Sequence, residues 1–159
     1  MKSMTQDIRF NMLIRKRHNG NIKNIGDINK LLFCTTTGDV MNNRTVGIDF
    51  QKKELFYNIN PIRMTNSEPS VVLQDKDIEM LKDMILYFKI SEWDQFYDEG
   101  NDEDIMDGYG WSLWIVENDG TVEVHKGSGT RKSLVTPNTF EEFEKILLDL
   151  AIKENMKDW

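Results

Sequence analysis

The chain has 159 residues, with 20 Lys and Arg against 27 Asp and Glu, and a formal net charge of −7. That length suits one domain over 1–159 that buries a core unaided, and 39% hydrophobic with 10% aromatic residues excludes a disordered chain. A lone cysteine, Cys34, excludes an internal disulfide framework, and no apolar run nears the roughly 20 residues of a membrane-spanning helix. The first residues lack the continuous apolar stretch of a secretory signal, so the expected address is the cytoplasm, with no membrane partner.

The charge divides unevenly. Residues 1–20 carry Lys2, Arg9, Arg15, Lys16 and Arg17 against Asp7, a net +4, which leaves −11 on the rest. Such a body repels a nucleic acid, so none is expected as partner. The basic run Arg15-Lys16-Arg17-His18 is read as a solvated patch.

In chain order, Ile8, Phe10, Met12 and Ile14 alternate, which predicts a peripheral strand or arm within 1–27. Residues 30–37 are rich in strand formers. Residues 46–59 alternate as a hairpin turning at Lys52-Lys53. Phe50 is set opposite Leu55, Ile48 opposite Tyr57 and Val46 opposite Ile59. Asp75 then caps a helix whose stripe is Ile78, Leu81, Met84, Ile85 and Phe88. A second short helix is expected from Ser91, anchored by Trp93, Phe96 and Tyr97.

A loop over 98–108 follows, and then strands over 110–117 and 121–127 about the turn signal Asp119-Gly120. A two-residue turn sets Trp114 opposite His125, with both on the outer face. Counting Asn118 into the turn shifts the pairing and makes Trp114, Val116, Val122 and Val124 the core set. Thr139 and Glu142 frame the start of a last helix, with Phe140, Phe143, Ile146, Leu147, Leu150 and Ala151 on its apolar stripe. Hairpin-then-helix thus occurs twice. The expected fold is α+β, a mostly antiparallel five- to six-stranded sheet with two main helices packed on one face.

The acidic loop is the main candidate for a functional site. Asp98, Glu99, Asp102, Glu103, Asp104 and Asp107 crowd ten positions, and such carboxylates bind a hard cation or meet a basic partner. The calcium-loop template wants Gly at its sixth position, where Glu103 or Asp107 stands instead, so no metal or other cofactor is assigned. Trp111, Trp114 and His125 on the neighbouring hairpin complete the candidate partner-binding set, with an outward Trp as anchor. No catalytic residue is assigned. His125 and His18 stand alone, Cys34 lies in an apolar strand, and the run 127–133 lacks the Gly that a phosphate loop places before its Lys.

From Ile90 onward the landmarks are Trp93, Asp107-Gly108 before Trp111, Asn118-Asp119-Gly120, Gly127 and Gly129, and Pro137 before the Phe140 helix. This stretch resembles small uncharacterised cytosolic bacterial α+β proteins, some of which act as immunity proteins or other protein-binding partners. The resemblance implies the fold and a binding role, and no catalytic residue. The expectation is a non-catalytic interaction module for a basic protein partner, immunity-like in one version. Two alternatives stand beside it: a metal-assisted hydrolase using the same carboxylates, and a structural homo-oligomer.

Overall fold

The computed structural model describes residues 18–37, 43–57, 71–98 and 108–156. The expected strand over 8–14 and the loop residues 99–107 lie outside them. The strands are β1 (His18–Asn19), β2 (Ile28–Thr36), β3 (Arg44–Asp49), β4 (Glu54–Tyr57), β5 (Val71–Val72), β6 (Phe96–Asp98), β7 (Tyr109–Glu117) and β8 (Thr121–Gly129). The helices are α1 (Asp75–Tyr87) and α2 (Phe140–Met156).

The fold is α+β, but the sheet is mixed rather than mostly antiparallel with five to six strands. Its order is β1-β8-β7-β2-β3-β4-β5, with β6 also on β8. The long hairpins pair antiparallel about β2. The outer edge of β8 takes β1 at Thr121 and Val122, and β6 at Lys126 to Ser128, both parallel. These short pieces belong to no hairpin, so no local alternation announces them.

One sheet face carries both helices. Leu31 and Phe33 of β2, Val46 and Ile48 of β3, Leu55 of β4, and Trp111, Leu113 and Ile115 of β7 are buried there in one cluster. It includes Ile78, Leu81, Met84, Ile85 and Phe88 from α1 and its end, and Phe140, Phe143, Leu147 and Ala151 of α2. Rings fill its centre: Phe33 lies 5.5 Å from Phe143 and 5.7 Å from Phe140, and Trp111 lies 4.8 Å from Phe140. The helix stripes match their sequence periodicity because their period coincides with the buried side. The amino-terminal cap of α1 differs from expectation. Gln74 precedes the helix and its N–H donates to Asp77 Oδ2 at 2.9 Å, while Asp75 is the first helical residue.

The opposite face holds a smaller buried cluster of Leu32, Phe56, Trp114 and Val122, flanked by Cys34, Val116 and Val124. In the first hairpin Ile48 faces Leu55 and Val46 faces Tyr57, two residues off the expected pairing, because Phe50 belongs to the turn. The Asp49 carboxylate holds that turn by accepting the N–H groups of Gln51 and Lys52 at 3.1 and 3.0 Å. In the second hairpin Val116 faces Val122, Trp114 faces Val124 and Leu113 faces His125. This is the pairing expected when Asn118 joins the turn. Its apolar set packs away from the helices, and Glu123 and His125 share the helix face with Leu113 and Ile115.

The expected helix from Ser91 is a single 3₁₀ turn over Ile90–Glu92. The Ser91 hydroxyl donates to Glu123 instead of capping a helix. Phe96 and Tyr97 then enter β6, which places Phe96 outward and removes it from the expected anchoring role.

Candidate functional site

The candidate site is the sheet corner from which the acidic loop springs. The loop leaves β6 at Asp98, which is paired with Ser128, and the chain rejoins the sheet at Tyr109, paired with Gly129. Its two roots therefore flank the end of β8. Asp98 is exposed; Glu99, Asp102, Glu103, Asp104 and Asp107 lie outside the described residues.

The Tyr109 root is pinned. Lys132 Nζ reaches Glu144 Oε1 of α2 at 2.5 Å and lies 5.6 Å above both the Tyr109 and Phe140 rings. The Tyr109 hydroxyl faces Glu144 Oε2 at 3.5 Å. Burial, then the carboxylates of Glu144 and Glu141, holds the Tyr109 phenol far above its usual range, so it remains a neutral donor.

The aromatic part of the corner differs from the sequence expectation. Trp111 is 4% exposed, and its indole N–H donates to the Val135 carbonyl at 2.7 Å. It is a core ring, not a free anchor, because odd-numbered β7 residues face the helices. A side chain at Gly127 would strike both the Trp111 indole nitrogen and the Val135 carbonyl, so only glycine lets that bond pass. Trp114 faces the other way and is 6% exposed, with Lys126 Nζ 4.9 Å above its ring. The exposed ring is Phe96, 54% accessible, whose neighbour across the parallel pair is Lys126.

Sequence reasoning missed Phe96 by grouping it with Trp93 and Tyr97. The usable signal was alternation: Trp93 is buried, Tyr97 is half-buried with its hydroxyl accepting the Asp94 N–H at 2.9 Å, and Phe96 falls between them.

His125 lies under the connector after α1 and is 1% exposed. Its Nε2 meets Glu123 Oε2 at 2.7 Å and its Nδ1 meets the Asp94 carbonyl at 2.9 Å. Glu123 Oε1 accepts the Ile22 N–H at 2.8 Å and the Ser91 hydroxyl at 2.9 Å. Burial alone pushes the Glu123 carboxyl up. The bond from His125, those from Ile22 and Ser91, and the histidine charge outweigh it and hold the carboxyl below its usual value. Nearby, Glu117 accepts the Lys23 N–H at 2.7 Å. This network fastens residues 22–23 and 91–94 to β7 and β8 and buries His125 in the seam between them.

Phe96 and Lys126 form a ridge between two grooves. One, about 250 Å³, is lined by Gly20, Asn21, Gln95, Val122, Glu123 and Val124 together with the ridge residues. The other, also about 250 Å³, runs over the small side chains of Cys34, Thr36, Ser112 and Ser128. Burial holds the Cys34 thiol above its usual range despite bonds to Thr45 and Ser112, so it is a poor nucleophile. Among the described residues no three His, Cys, Asp or Glu side chains come together to hold a metal ion. No helix among them is long and apolar enough to cross a membrane. Comparison with protein-family models, with curated proteins and with solved structures finds no match for this chain.

Proposed function

We propose that this protein is a non-catalytic interaction module that meets a basic protein partner through the acidic corner, with Phe96 as the aromatic anchor. The observation that carries the reading is the placement of a 54% exposed Phe96 two residues before Asp98, at the root of the loop that bears the remaining carboxylates. An exposed ring beside concentrated negative charge has the composition of an interface in which charge steers the encounter and an aromatic side chain anchors it. Neutralisation of a basic toxin or nuclease, an immunity-like role in a bacterial cytoplasm, is the specific form of this reading.

The test is capture of a partner from the native source, then affinity measurement against charge-reversed Asp102, Glu103 and Asp104 and against Phe96→Ala. The reading expects both changes to weaken binding, and added salt to weaken it for the wild type. A partner indifferent to all three would refute it.

A further inference from the structure

The sheet face turned away from the helices is roofed. Paired positions set Val124, Trp114, Leu32, Gly47 and Phe56 in one row across β8, β7, β2, β3 and β4 on that face. An uncovered sheet face leaves the tops of its side chains in water. Here Leu32 and Phe56 are 0% exposed and Trp114 is 6% exposed, and Gly47, with no side chain to shelter its neighbours, is buried as well. Every described apolar residue in this cluster belongs to the sheet itself, while both helices pack on the other face. The cover therefore comes from chain outside the described residues.

We propose that this face is the docking surface of residues 8–14 of the same chain. Three observations select that segment. Its apolar residues Ile8, Phe10, Met12 and Ile14 alternate, so an extended chain turns all four to one side. Its length fits. The row from β8 to β4 spans four strand spacings, about 19 Å, and residues 8–14 span six extended steps, about 20 Å. Its entry fits as well. His18 lies beside Thr121 in a parallel pair, so the preceding chain arrives at the turn end of β8, three residues from Val124. Residues 15–17 cover that distance. Charge agrees, since residues 1–17 carry +4 against −11 on the rest of the chain. The other candidates fit less well. Residues 99–107 would bring five carboxylates onto an apolar floor, 38–42 are few and tied to the far ends of β2 and β3, and 58–70 are held at both ends beside β4 and β5.

The inference is independent of the protein-binding reading, and its test uses no partner. In the wild-type full chain, labelled for side-chain NMR, nuclear Overhauser contacts should run from the Phe10 ring and the Met12 methyl to Leu32, Trp114 or Phe56. Contacts from those three residues to 38–42, 58–70 or 99–107 in place of 8–14 would overturn the proposal. So would contacts seen only between differently labelled molecules in a mixed sample, which would make a second copy the occupant. A variant gives a second readout. Cys34 borders the cluster and is the lone thiol, so its labelling by a neutral disulfide reagent reports on the cover. Phe10→Asp should speed that labelling by about fivefold or more, and Phe10→Leu should stay near the wild-type rate. Unchanged protection of the Leu31 and Ile115 amides shows that the helix-side core has held. A wild-type rate in Phe10→Asp with that core intact overturns the proposal, and if this variant unfolds, the wild-type contacts decide alone.

Discussion

At the scale of single residues, two buried arrangements carry specific consequences. The Trp111 bond to Val135 passes where a side chain on Gly127 would sit. Gly127→Ala should therefore cost about 2–4 kcal/mol, because the strand or the indole must move and a buried carbonyl loses its donor. Ser128→Ala, next along β8 on the other face, should stay within about 0.5 kcal/mol. Urea unfolding of both variants checks the pair, and equal stability of the two would contradict the close approach. Glu123 gives a pH prediction. Its folded carboxyl lies below the usual 4.5, so its contribution is present above that value and is lost as pH falls through the lower folded value. Glu123→Gln should therefore flatten the acid limb of stability against pH. An acid limb as steep as the wild type would show that the pair does not act as described.

At the scale of elements, β8 is the most informative strand because its edge is shared. Hydrogen exchange should find the Val124 amide less protected than those of Val122 and Lys126, which face the same edge but belong to the β1 and β6 pairings. Equal protection of all three would mean that the edge is continuous. The same strand shows what was legible in the sequence. The stripes of α1 and α2 and the two hairpins are local patterns, and Ile78 to Phe88 and Phe140 to Ala151 pack where their spacing places them. The parallel pairings of β1 and β6 are long-range and only two and three residues long, so nothing in their spacing distinguishes them from loop. The buried state of Glu123 and His125 was equally hidden. Both read as polar outer-face residues until Ile22, Ser91 and Asp94 come from distant segments to satisfy them. The acidic run was plain in the sequence, but the exposed ring beside it was not, since only the β6 pairing turns Phe96 outward, while the register of β7 turns Trp111 inward.

At the scale of the molecule, one face of the sheet is committed to the helices and the rings between them, and the end of β8 is committed to holding the loop roots. Phe96 lies outside both commitments. Phe96→Ala should change stability by less than about 1 kcal/mol, as an exposed side chain does, while removing the anchor of the proposed interface. The most direct measurement is calorimetric affinity for the captured partner at low and at physiological salt. It would compare the wild type, Phe96→Ala, and a chain carrying Asp102→Lys, Glu103→Lys and Asp104→Lys. The account predicts about a tenfold or greater loss for Phe96→Ala, a larger loss for the charge reversal at low salt, and wild-type affinity that falls as salt rises. Unchanged affinity across the three folded proteins and both salt conditions would contradict it.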